Sequence, residues 1–221
     1  MARKTDLYYT ESDGARPTSF ADRWSDLDRV ADLRPGDRVL DVGCAEGLIS
    51  LEVATRVAHV DAFDVSGVRI AEARRLAEQR GIGNASFATG SIDTFPLEPL
   101  SYDVALFLSV WGKRLDADRT VGAGHLARIL GATRRQLLMR AGVQRKPRKQ
   151  AWLAEILEVC DREGFDALCF SRTRQGEPSR TNLIVANRRG SDARSGELPA
   201  LALVPTALLA GHPVVAAARR S

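Results

Sequence analysis

Apolar positions along this chain alternate between helical spacing and short continuous runs. The two alternate in order, and turn residues separate them. Phe20, Trp24, Leu27 and Ala31 recur at helical spacing behind Ser19, with Asp22 three residues on. This predicts an amphipathic helix from Ser19 to Leu33, stopped by Arg34-Pro35-Gly36. Arg38 to Val42 reads as a strand, Leu48 to Arg56 as a helix and His59 to Asp64 as a second strand. Ser66 is placed to cap a helix whose Ile70, Ala73 and Ala77 share one face until Gly81 ends it. Ala85 to Thr89 follows as strand three.

Val104 to Ser109 is an unbroken apolar run, the pattern of a strand covered on both faces in a parallel sheet. A helix over Ala123 to Leu130 should stop at Gly131, with Gln136 to Arg140 as strand five. A helix from Ala151 to Glu163 should then present Trp152, Ile156, Leu157 and Cys160 on one face. Phe165 to Ser171 and Thr181 to Asn187 are strands joined through Gln175-Gly176-Glu177-Pro178 without a helix, so they should run antiparallel. The expected fold is a doubly wound α/β sheet of seven mostly parallel strands with an antiparallel pair at its end. Residues 37–189 form the central domain, and 1–36 form a leading segment.

From Arg188 the character changes. A polar linker precedes Leu198 to Ala218, which is apolar but interrupted by Pro199, Pro205, Gly211 and Pro213. Residues 190–221 are therefore expected to be a disordered or loosely docked tail, not a stably inserted span, which needs roughly 20 unbroken apolar residues. With 221 residues, 44% of them apolar, the chain is long enough to bury a sizeable core. Cys44, Cys160 and Cys169 are an odd, sparse set with no metal-ligand spacing. Neither a disulfide framework nor a metal site is expected. Met1 to Thr10 is polar and lacks the apolar stretch of a secretion signal, which fits a cytoplasmic chain.

The net charge of +4 is unevenly spread. From Arg119 to Ala154 there is no Asp or Glu, against Arg119, Arg128, Arg134, Arg135, Arg140, Arg145, Lys146, Arg148 and Lys149. This predicts a basic face that could meet an anionic substrate.

Chemistry concentrates at Val39-Leu40-Asp41-Val42-Gly43-Cys44-Ala45-Glu46-Gly47, where an apolar strand ends in an acid and enters a Gly-x-x-x-Gly turn that opens a helix. Glycines there permit positive φ and close approach of a ligand to bare backbone. A dinucleotide fingerprint would place glycines at the first, third and sixth positions, which here are Gly43, Ala45 and Leu48. A phosphate-cradling Gly-Lys-Ser/Thr is also absent.

Together with strand two ending at Asp64 inside Phe63-Asp64-Val65-Ser66, this motif resembles that of the class I SAM-dependent methyltransferases over roughly Arg38 to Asn187. The resemblance implies S-adenosyl-L-methionine (SAM) as methyl donor and S-adenosylhomocysteine as product. It implies a loop of Gly43, Cys44, Ala45 and Gly47 under the methionine and ribose. Asp64 would accept both ribose hydroxyls, and Asp41 would orient the charged amino end. Val65, Ser91, Ile92 and Leu108 complete the implied cofactor set. Ala88 to Pro96 corresponds to the segment lining the adenine, but Ser91 stands where the family usually has an acid, and Asp93 follows two residues later. Either could meet the adenine amine. Ala45 in place of a commoner glycine still allows close approach if its φ is negative.

The substrate should meet the methyl group at the carboxyl ends of the strands. Trp111 and Lys113, after strand four, are substrate candidates there. So are Arg145 in the basic run after strand five, and Tyr8 and Tyr9 as part of a lid. The Asn/Asp-Pro-Pro-aromatic motif that holds an exocyclic amine is absent, which argues against DNA as substrate. His125 sits among Leu126, Ile129 and Leu130 and reads as structural, and no catalytic base stands out. The expected activity is methyl transfer to an oxygen or nitrogen of a small metabolite carrying phosphate or carboxylate. Methylation of RNA or protein through residues 134–149 is the alternative, and a SAM-binding domain without catalysis is a third reading.

Overall fold

Among the described residues, eight strands build one sheet: β1 (Arg38–Val42), β2 (His59–Asp64), β3 (Ala85–Thr89), β4 (Tyr102–Leu108), β5 (Thr133–Gly142), β6 (Phe165–Arg174), β7 (Glu177–Arg188) and β8 (Leu201–Leu203), in the order β3-β2-β1-β4-β5-β7-β6-β8. The computed structural model describes residues 20–108, 119–142, 147–174, 177–194 and 201–203. Strands β1 to β5 pair in parallel, while β7 runs antiparallel to both β5 and β6. The doubly wound sheet and its antiparallel pair match the expectation. The eighth strand is an addition: β8, from the segment read as a tail, pairs antiparallel with β6 at Phe170 to Arg172.

Helices α1 (Phe20–Asp28), α2 (Leu48–Ala54), α3 (Gly67–Arg80), α4 (Arg119–Ala132) and α5 (Pro147–Arg162) cover the sheet. The strands are two-sided, as their continuous apolar runs require. Leu40, Val42, Ala105, Phe107, Leu137 and Met139 face a core with α4 and α5. Val39, Val104, Leu106 and Leu138 face the opposite core, with Leu27, Leu51 and Ile70.

Several boundaries differ from the sequence reading. Helix α1 ends at Asp28, although Val30 beyond it is still buried. Helix α4 runs through Gly131 to Ala132. A mid-helix glycine costs only about 1 kcal/mol, and buried Leu126, Ile129 and Leu130 outweigh it. The helix stops where β5 begins, and the Arg188 guanidinium donates to the carbonyls of Leu130 and Thr133 at 2.8 and 2.7 Å. Glu177 and Pro178, read as turn, begin β7. Ser66 occupies the N-cap of α3 but makes no side-chain cap bond. Gly81 closes that helix at φ 65° as expected.

Among the described residues, the basic side chains of this segment do not share one face. Arg128 donates to loop carbonyls, Arg134 meets Asp103, Arg135 meets Asp37 and Asp32, and Arg140 meets Asp26. Four charges that sequence alone grouped together are dispersed among internal partners.

Candidate functional site

Strand order reverses between β1 and β4, and the chain leaves β1 there through a turn of unusual backbone. Gly43, Ala45 and Gly47 all have positive φ, at 75°, 51° and 74°. The negative φ that would let the Ala45 methyl permit close approach is therefore not adopted. A residue with a Cβ in this region costs roughly 1–2 kcal/mol over glycine, and the Ala45 N–H is held in place by Asp64 Oδ2 at 3.1 Å. The N–H groups of Gly43 and Cys44 both donate to the Phe63 carbonyl, at 2.8 and 3.1 Å.

Gly47 is required twice over. It donates to the Cys44 carbonyl and starts α2, and a Cβ built on it would lie 2.6 Å from Phe87 Cε1 and 3.0 Å from the Ala73 methyl. Gly47→Ala is expected to lower stability by about 2 kcal/mol, from left-handed strain plus overpacking. An unchanged melting temperature would show that Phe87 yields freely.

Asp64, buried at the end of β2, joins three segments. Its Oδ2 accepts from Ala45, its Oδ1 accepts from Ser66 N–H at 2.9 Å, and its carbonyl accepts from Gly90 at 3.0 Å. One lone pair of each carboxylate oxygen is thereby committed and another remains.

Asp41 lies buried below the same loop, and Ser50 Oγ of α2 donates to its Oδ2 at 2.6 Å. Burial raises its carboxyl to about 7, and the nearby Asp64 charge adds to the rise. The folded form thus binds a proton that the unfolded chain has released, so stability declines as pH rises from 3.8 to about 7. Asp41→Asn should flatten that slope and stabilise the ligand-free protein above pH 7 by about 2 kcal/mol, measured by denaturant titration at several pH values. A variant less stable than the parent at pH 8 would contradict the burial penalty.

Burial, with the charges of Asp41 and Asp64, pushes the Cys44 thiol far up, which disfavours its thiolate. Glu46, missed by the sequence reading although it lies inside the motif, is almost wholly buried. Its Oε1 lies 3.8 Å from Arg69 Nε of α3. A local charge at such a loop reads as solvated until the fold closes over it.

Beyond β3, Ser91 N–H donates to Thr94 Oγ1 at 3.0 Å, and Phe95 N–H donates to the Ser91 carbonyl at 2.8 Å. Ile92 is buried, whereas Val65, next to Asp64, is exposed. Asp93, the alternative to Ser91, is turned to His125 Nε2 at 2.7 Å. Leu108 ends β4 on the same rim, partly buried against the neighbouring core. Tyr8, Tyr9, Trp111, Lys113 and Arg145 lie outside the described residues.

A family model described as a methyltransferase domain matches residues 33–165, which include the whole of this loop system. The chain belongs to the class I SAM-dependent methyltransferases. The magnesium-protoporphyrin O-methyltransferase of Rhodobacter capsulatus is 35% identical to this methyltransferase over 97 residues, 43% of this chain and 42% of that protein. A 23S rRNA (uracil-C5)-methyltransferase of Klebsiella pneumoniae is 41% identical over 56 residues, 25% of this chain and 13% of the other. The matched stretches thus span less than half of either curated relative. Among solved structures, the magnesium protoporphyrin IX methyltransferase of Synechocystis with bound SAM aligns at a TM-score of 0.56 and 22% identity, covering 70% of this chain and 71% of that one. Among the described residues of this methyltransferase, no helix is long and apolar enough to cross a membrane.

Proposed function

We propose that this methyltransferase carries the methyl group of SAM to an oxygen or nitrogen of a small anionic metabolite, with its donor held by the loop from Gly43 to Gly47. The observation that carries the reading is the pair of buried carboxylates, Asp41 and Asp64, at the ends of adjacent strands around one left-handed loop.

The donor set suits SAM. Asp64 has remaining lone pairs for two ribose hydroxyls, and Asp41 is a buried carboxylate whose ionisation a cationic amino group would favour. Gly43, Cys44, Ala45 and Gly47 bring backbone beneath the methionine. Val65, Ser91, Ile92 and Leu108 bound the purine. SAM supplies an electrophilic methyl on a sulfonium; the chain contributes alignment, and restricted geometry alone supplies roughly 7–11 kcal/mol in favourable cases. No base is needed for an acceptor that is already anionic.

The O-methyltransferase relative supports an oxygen of a small molecule as acceptor. The RNA reading has one observation in its favour, the match to an rRNA methyltransferase. Against it, Arg135 and Arg140 are buried on Asp37 and Asp26, and Arg134 is paired with Asp103, so these three offer less charge to a phosphate backbone. Titration calorimetry with SAM and S-adenosylhomocysteine comes first, followed by incubation of cell extract with methyl-labelled SAM. Micromolar binding and label in low-mass anionic species are expected. Label that moves to RNA and vanishes with ribonuclease would favour the alternative. Absence of SAM binding would overturn the proposal.

A further inference from the structure

Helix α4 carries polar side chains that reach back to the loop after β3. His125 Nε2 meets Asp93 Oδ1 at 2.7 Å. Arg128 Nη1 donates to the Ile92 carbonyl at 2.5 Å, and its Nη2 reaches the Phe95 carbonyl at 3.4 Å. These bonds are not what docks the helix, since Leu126, Ile129 and Leu130 are fully buried against the sheet. They grip one loop at the Ile92 and Phe95 carbonyls and at the Asp93 side chain instead. Arg128 reads backbone, so it constrains the chain path whatever the side chains are.

The opposite side of the loop is held as well. Phe95 stacks on Phe63 at 4.3 Å with rings 17° apart, and Phe63 is the residue whose carbonyl anchors Gly43 and Cys44. Loop, helix and donor turn are thereby one packed unit.

The His125–Asp93 pair is lopsided. The imidazole side chain is 14% exposed and the carboxylate 68%. Nδ1 is enclosed with no hydrogen-bond partner among the described residues, so a neutral ring with its proton on Nε2 donates it to Asp93. The bond through Oδ1 turns the Asp93 carboxylate toward α4, while the Ser91 hydroxyl at the head of the loop lies 3.3 Å from Thr94 Oγ1.

We infer that His125 and Arg128 are positioning residues that set adenine specificity, by fixing the backbone at Ile92 and holding Asp93 against α4. The inference rests on the reading that this loop bounds the purine of SAM. It adds a helix that the cofactor motif does not include, and it assigns Asp93 to the helix instead of the base.

The test compares Kd for S-adenosylhomocysteine and for S-inosylhomocysteine, in which a carbonyl replaces the adenine amine, across the parent, His125→Ala, His125→Gln, Arg128→Met and Asp93→Ala proteins. The parent should prefer the adenine compound by about tenfold or more. His125→Ala and Arg128→Met should each weaken its binding by about tenfold, the scale of one charge-assisted hydrogen bond, and compress the preference to about threefold.

His125→Gln, which retains a donor for Asp93, should recover most of the preference. Asp93→Ala should match His125→Ala, with the double variant no worse than either, because the two act through one contact. A preference lost in Asp93→Ala but intact in both His125→Ala and Arg128→Met would put the carboxylate on the base and overturn the inference. Equal weakening toward both compounds would reduce the clamp to a structural role and also overturn it. A parent protein that binds neither compound fails at the cofactor reading, a result distinct from either of these.

Discussion

Asp64→Ala is expected to weaken SAM and S-adenosylhomocysteine binding by a factor of about 100 or more while the protein stays folded. A hydrogen bond to a charged acceptor contributes roughly 1.5–3 kcal/mol, and two would be lost with the ribose hydroxyls. Water in the vacated space returns part of this, which keeps the expected change below the sum. The carboxylate also organises the site without ligand, since its two oxygens hold the N–H groups of Ala45 and Ser66. Alanine leaves both donors to find water, and the left-handed Ala45 has less to keep it in place. Asp64→Asn is not a benign control, because one half of the amide would present hydrogens to a backbone N–H. Titration calorimetry on both variants decides the matter, and affinity within threefold of the parent would remove Asp64 from the cofactor site.

Arg135→Met is expected to cost about 3–5 kcal/mol of stability, the range for leaving one member of a buried ion pair without its partner. Arg135 Nη2 donates to Asp37 Oδ2 at 2.5 Å and to the Asp32 carbonyl at 2.7 Å, and both charged side chains are under one-tenth exposed. Asp37 also accepts the Arg34 N–H at 2.8 Å, and its carbonyl takes the N–H groups of Ala58 and His59. Asp32 receives Arg34 and the Arg194 N–H, which ties the segment after β7 to the entry of β1.

Burial works to raise the Asp32 carboxyl. The bond from Arg34, the Arg194 N–H and the Arg135 charge outweigh it and hold the group below its usual range. A depressed carboxylate stabilises the fold above its unfolded pKa, and that contribution fades as pH falls through the lowered value. Urea unfolding at pH 7 should show the full loss in Arg135→Met, with SAM affinity of the folded fraction unchanged because this network lies at the amino ends of the strands. A loss under 1 kcal/mol would mean that water reaches Asp37 and solvates it.

Much of the layout was legible in the residues. β1, β2 and β3 begin and end where the apolar runs predicted, because short buried strands between turn residues leave little freedom in register. The turn from Gly43 to Gly47 follows β1 as the strand-then-glycine pattern predicted, and the strand order that reverses beside it came from the fold. Boundaries failed where tertiary contacts outweighed local punctuation. Gly131 did not stop α4, since its buried leucines and Arg188 carried the helix on to Ala132.

Whereas β8 came only with the folded chain, local pattern by itself determined seven strands, their antiparallel pair and the acid-flanked glycine turn. Each of these depends on residues a few positions apart, whose spacing decides which face they bury. Only the folded chain decided that Ala45 is left-handed, that Glu46 is buried and that Asp93 belongs to His125, across 32 residues of sequence. Only the folded chain, too, dispersed the arginines of the basic run to Asp103, Asp37 and Asp26. Charges act on whatever lies within a few ångströms of them, and which groups those are depends on how distant segments pack.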